Sequence, residues 1–108
     1  MSKIIFLDKL EDFNALPGLK AKVVHSENQT LAFWEIEAGT ELPSHSHPHE
    51  QIAILTEGEF KLTIEGKESI MKAGMLAIIP SHAEHSGLAV TACKITDVFY
   101  PCREDFPQ

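Results

Sequence analysis

The alternation of apolar and polar positions predicts strands. Glu59-Phe60-Lys61-Leu62-Thr63-Ile64 alternates strictly and is the strongest such signal in the chain. Leu19 to Ser26 sets Leu19, Ala21 and Val23 on one parity, as a half-buried strand does. Thr30 to Glu37 is rich in aromatic and β-favouring residues and reads as a strand. Ile52 to Leu55 and Met75 to Ile79 are apolar on both parities, which suits strands buried on both faces. Pro17-Gly18, Glu27-Asn28, Ala38-Gly39-Thr40, Glu57-Gly58-Glu59, Glu65-Gly66-Lys67 and Lys72-Ala73-Gly74 read as turns. The weaker segments read as a short strand at 3–7, a turn of helix within Asp8 to Leu16 and a short strand at Glu68 to Met71. A polar loop at Ser81 to Gly87, one long strand region from Leu88 to Tyr100 and a tail from Pro101 complete the chain. Short strands recurring roughly every eight to twelve residues, with no amphipathic helix, predict an all-β sandwich or barrel.

Bulk properties narrow this picture. A chain of 108 residues predicts one domain over 1–108 with one modest core. The formal net charge of −7 argues against nucleic acid or an anionic membrane as partner. The longest apolar run, Met75 to Pro80, is far too short to span a bilayer. Residues 1–8 lack the long apolar region and small-residue cleavage site of a secretory signal, so a cytoplasmic location is expected. Cys93 and Cys102 form no CxxC, and in that setting they are expected as reduced structural thiols.

The chemistry concentrates in His45-Ser46-His47-Pro48-His49-Glu50-Gln51, framed by Gly39 and Gly58. On an extended strand His45 and His47 point the same way. Such a pair, with a further oxygen or nitrogen donor four residues on, can hold a divalent metal. The bland alternative is a polar loop that is His-rich by chance, since the chain has six histidines. Parity with His45 and His47 favours Gln51 as the further donor, and Glu50 is the alternative.

These segments resemble the two signatures of a small single-domain cupin. The first signature matches at 39–58, with Gly39, His45, His47, Gln51 and Gly58 in the expected spacing. The second matches at 74–89, with Gly74, Pro80 and His85 in place. Together they cover 39–89, about half of the chain. The resemblance implies a cupin jelly-roll β-barrel with His45, His47, Gln51 and His85 around one divalent transition metal: Zn, Ni, Co, Fe or Mn. Three departures stand out: Gln51 replaces the usual Glu, His82 stands where a glycine belongs, and Ala89 replaces an Asn. A neutral Gln leaves the full +2 on the metal, so the site favours anionic ligands. His49 is expected in a supporting role beside the ligands, His82 near the barrel mouth and His25 in solvent.

The C-terminal stretch carries a second constellation. Period two sets Ile95, Asp97 and Phe99 on one face. A carboxylate between apolar residues on a strand face needs a partner or a purpose. Arg103 lies just beyond and has the planar fork that grips carboxylates. A purely structural Asp97–Arg103 or Asp97–backbone pair is the alternative. The run Asp97-x-Phe99-x-Pro101-x-Arg103-x-Asp105-Phe106 resembles the ending of the pectin-degradation cupins, which linearise 4,5-unsaturated uronate monosaccharides. That resemblance implies Asp97 as acid or base, Arg103 as carboxylate clamp and Phe99 as pocket wall, acting on a small anionic sugar. It also implies a homodimer, with 4–7 as a candidate edge-pairing segment. Rival readings are a quercetinase-like dioxygenase, a non-catalytic sugar- or metabolite-binding cupin, and a structural protein whose metal only cross-links strands.

Overall fold

The computed structural model describes residues 2–108. A single 3-10 turn, Leu7–Lys9, precedes ten strands: β1 Phe13–Leu16, β2 Leu19–His25, β3 Thr30–Ile36, β4 Glu41–His45, β5 Glu50–Glu57, β6 Glu59–Ile64, β7 Lys67–Lys72, β8 Leu76–Ile79, β9 His85–Ala89 and β10 Cys93–Tyr100. They form two antiparallel sheets, one in the order β1-β2-β3-β10-β5-β8 and the other β4-β9-β6-β7. The expected all-β architecture is therefore present. Among the described residues no helix is long and apolar enough to cross a membrane.

Alternation explains the core. On β3 the inward positions are Thr30, Ala32, Trp34 and Ile36, and on β10 they are Cys93, Ile95, Asp97 and Phe99. β5 contributes Gln51, Ala53 and Leu55, and β6 contributes Phe60 and Leu62. Each fully buried Leu or Phe contributes about 1.5–3 kcal/mol. Toward one end of the larger sheet this inward row turns polar (Thr30, Gln51, Asp97), so the site lies at that end.

Four expectations are corrected. Residues 3–6 form no strand, and within Asp8 to Leu16 the helical turn is confined to the 3-10 turn ending at Lys9, while Phe13–Leu16 form β1. Pro17-Gly18 folds this segment back as a hairpin, pairing Phe13 with Ala21, and Phe13 and Ala15 then pack on the core. The expected strand from Leu88 to Tyr100 is two strands, because the chain leaves the smaller sheet at Ala89 and enters the larger at Cys93. Gly58, between β5 and β6, makes the opposite crossing right beside it. A Cβ on Gly58 would sit 2.2 Å from the Ala92 carbonyl oxygen, and its φ of +91° suits glycine, so the two corners stack only because this residue has no side chain. β9 also begins at His85, inside the stretch expected to be loop.

Candidate metal centre

His45 ends β4 and His85 opens β9, and the two are cross-strand partners. Their ring centroids lie 4.2 Å apart. His47 enters from the loop between β4 and β5, with centroids 5.8 Å from His45 and 5.0 Å from His85. The expectation that His45 and His47 share one strand face is thus replaced by convergence of a strand end and a loop. One ring nitrogen from each of the three lies within 4.8 Å of the others, which positions them for a metal ion.

The backbone sets the tautomers. Nδ1 of His45 donates to the Pro43 carbonyl at 2.9 Å, Nδ1 of His47 to that of His49 at 3.0 Å, and Nδ1 of His85 to that of Ala83 at 2.9 Å. A carbonyl only accepts, so in each ring Nδ1 carries the proton and the neutral ring offers its Nε2 lone pair. This is how backbone groups orient metal-binding imidazoles. Nε2 of His85 is buried with no partner. Nε2 of His47 faces Oε1 of Gln51 at 3.0 Å. Two acceptors at that distance repel unless a proton or cation joins them. A proton is disfavoured: burial, followed by the nearby Arg103 charge, pushes His47 down to about 4 against the upward pull of Gln51. Burial also lowers His85. The donor set therefore fits a divalent cation. Gln51 is buried and Glu50 is exposed, so the amide faces the histidines. His45 is exposed, which keeps the centre open to solvent.

A cavity of about 250 Å³ runs inward from this centre. Its polar end is lined by His45, Gln51, His85, Asp97, Phe99 and Arg103, and its far end by apolar side chains such as Leu19, Ile36, Leu55 and Met71. Asp97 sits between Ala32 and Ala53, its partners on the two flanking strands, and their small side chains leave room for the carboxyl group. Nε1 of Trp34 donates to Oδ2 of Asp97 at 3.0 Å, while Oδ1 is buried and unpaired. Burial pushes Asp97 up to about 7, against the opposing pull of Gln51, Trp34 and Arg103. Arg103 does not pair with Asp97. Its Nε and Nη2 grip Asp105 at 2.9 and 2.7 Å, and its plane stacks over Phe99 and Phe106 at 4.7 and 4.3 Å.

Residues 32–99, well over half of the chain, match the Cupin domain family. The chain belongs to the cupin family. Its fold is similar to that of KdgF from Halomonas sp., with a TM-score of 0.90 and 22% identity over 97% of this chain and 98% of that one. It is equally similar to an RmlC-like cupin from Shewanella frigidimarina NCIMB 400, with a TM-score of 0.90 and 26% identity over 97% and 96% of the two chains. A salicylate 1,2-dioxygenase from Pseudaminobacter salicylatoxidans shares the fold at a TM-score of 0.76 and 18% identity, covering 80% of this cupin and 27% of that chain.

The fold brings His45, His47, Gln51, His85, Asp97, Phe99 and Arg103 to one end of the cupin barrel. His82 is exposed with φ +66°, in the conformation that explains a glycine at this position, and its N–H donates to the His47 carbonyl at 2.8 Å. His25, expected in solvent, is half-buried, and its ring bonds Thr30 and Pro107. Sequence reasoning missed Trp34 as the donor to Asp97. The usable signal was a lone indole N–H on a buried strand face, which needs an acceptor. It also gave Asp105 and Phe106 no role, although they hold and cover Arg103.

Proposed function

We propose that this cupin is a metal-dependent enzyme that moves a proton on a 4,5-unsaturated uronate, opening it to the linear ketonised form. The observation that carries this reading is the Asp97 carboxyl group. It is buried, unpaired at Oδ1 and pushed up by burial to about 7, in one cavity with His45, His85 and Arg103. His45, His47, His85 and Gln51 would hold one divalent ion (Zn, Ni, Co, Fe or Mn). When bound, that ion polarises a substrate oxygen and stabilises negative charge developing on it. The Asp97 Oδ1 both delivers and accepts a proton, a role that the upward shift imposed by burial favours. Arg103 keeps Nη1 for the uronate carboxylate while Asp105 occupies Nε and Nη2. Phe99 walls the ring. The resemblance of 97–106 to the pectin-degradation cupins supports the substrate class.

The test follows the ultraviolet absorbance of an unsaturated uronate, which disappears on ketonisation. Wild type with metal is expected to accelerate the loss. Asp97→Asn is expected to abolish it with metal content and fold intact, and His47→Ala or His85→Ala is expected to lose most of the metal. Wild-type rates in Asp97→Asn would remove the acid/base assignment, and full metal retention in both histidine variants would remove the metal centre. Tight uronate binding without turnover would make the protein a sugar-binding cupin. The apolar far end of the cavity favours a second reading, a metal-dependent dioxygenase acting on a less polar acid, for which oxygen uptake is the discriminating measurement.

A further inference from the structure

The segment after β10 does not trail away. Residues 101–108 turn back across the open end of the barrel and carry Arg103 and Phe106 over the polar end of the cavity. Phe106 packs against Phe13, Trp34 and Phe99, with ring centroids at 5.3, 6.1 and 5.4 Å. The Arg103 N–H donates to Oγ1 of Thr30 at 2.8 Å. Nε2 of Gln108 donates to the carbonyls of Arg103 and Phe106 at 3.2 and 2.8 Å, so the segment closes on itself as a loop.

One side chain outside the cavity lining fastens both ends of this loop. Nε2 of His25 lies 2.7 Å from the Pro107 carbonyl, and Nδ1 lies 2.7 Å from Oγ1 of Thr30. The carbonyl only accepts, so Nε2 carries the proton and Nδ1 of the neutral ring accepts from the Thr30 hydroxyl. The hydroxyl oxygen in turn accepts from the Arg103 amide. The result is one directed chain: Arg103 N–H to Thr30, Thr30 O–H to His25, His25 N–H to Pro107. Every donor in it meets an acceptor. Thr30 is fully buried at the end of β3, so its hydroxyl has no water to turn to if His25 is lost.

We propose that His25 is a positioning residue: acting through Thr30 and Pro107, it latches the C-terminal loop over the cavity and so sets Arg103 and Phe106 in place. Only the ligand-binding arm of the test rests on the proposed uronate chemistry.

The single Trp, Trp34, reports the latch directly because Phe106 packs on its edge. In the metal-loaded full chain, His25→Ala is expected to shift Trp34 emission to the red and to speed trimming by carboxypeptidase. Metal content is expected to stay at the wild-type level. Galacturonate binding is expected to weaken about tenfold, the effect of misplacing one charged hydrogen bond. His25→Gln, which keeps a donor toward Pro107, is expected to restore much of the emission. In a Phe106→Ala background, His25→Ala is expected to change the emission no further. Unchanged emission and trimming in His25→Ala would overturn the proposal, as would a full-size shift in the Phe106→Ala background, which would mean loosening of β2 and β3 instead. If His25→Ala does not fold, a chain ending at Phe106 removes the Pro107 acceptor without touching β2, and wild-type emission there would overturn the latch equally. If galacturonate binds neither form while the emission arms behave as expected, the latch stands and the uronate reading falls.

Discussion

Arg103 supplies the positive charge over the cavity, and Asp105 fixes the plane in which that charge lies. Arg103 is buried, whereas the Asp105 carboxylate is largely exposed, with 63% of its side chain accessible. The guanidinium holds Asp105 at about 2, below the ordinary 3.8. A depressed carboxyl pKa gives stability that is present above about pH 4 and is lost as pH falls toward 2. Exposure screens the pair, so its contribution is expected at about 0.5 kcal/mol rather than the full shift. Urea unfolding of wild type and Asp105→Asn should therefore differ slightly at pH 5 and converge near pH 2. A gap that persists into acid would place the effect elsewhere than this ion pair. Gln51 sets the other charge at the site. Gln51→Glu is expected to retain metal and to weaken anionic ligands by about tenfold, because it puts an anion beside the dication. Titration of the metal-loaded variant with galacturonate checks this, and an unchanged affinity would show that the amide's neutrality is irrelevant.

At the scale of the strand, β9 must carry His85 to the centre and still let β6 fill the core. Gly87 does this: a Cβ there would sit 2.2 Å from the Phe60 ring, and both residues line the cavity. Gly87→Ala is expected to cost about 1–3 kcal/mol, as overpacking does, and to push Phe60 into the cavity. A thermal or urea midpoint equal to wild type would mean that Phe60 has free space to move. Such close approaches mark the limit of what could be read along the chain. The strictly alternating β6 and the spaced donors His45, His47 and Gln51 were legible because their signals lie within a few residues. β1 was not, since its two inward side chains, Phe13 and Ala15, gain meaning only when the Pro17-Gly18 hairpin lays them on β2. The break between β9 and β10 was equally hidden, because the reason for it, the Gly58 corner, lies more than thirty residues earlier. Trp34 and Asp97 are 63 positions apart, and His25 and Pro107 are 82 apart. Pairings of that kind are set by sheet register, which a single pattern of polar and apolar residues does not specify.

On the whole molecule, the outer face of the larger sheet is apolar over several strands. Leu31, Val98, Ile52 and Ile78 form one cross-strand row, and Phe33, Thr96, Ile54 and Leu76 form the next. Ile78 and Leu76, on the terminal strand β8, are 61% and 55% exposed. The N-terminal segment adds Ile4 and Phe6, at 93% and 65%. A second copy of the chain would supply an equal apolar face, and pairing along β8 would also cover an open sheet edge. Covering these four side chains in each copy is worth on the order of 10 kcal/mol at the usual 1.5–3 kcal/mol per residue, scaled down for partial exposure. Association itself costs about 4–15 kcal/mol, so the expected homodimer is of moderate strength and depends on concentration. Two chains of formal charge −7 also repel, which salt screens, so the dimer should tighten as ionic strength rises. Sedimentation equilibrium at micromolar concentration is expected to show dimers in wild type and monomers in Leu76→Lys/Ile78→Glu, with equal metal content in both, since the centre lies on the inner face. A monomeric wild type at high salt would rule out the assembly. A double variant that stays dimeric would move the interface to another surface, because two charges buried against an apolar face are not tolerated without partners.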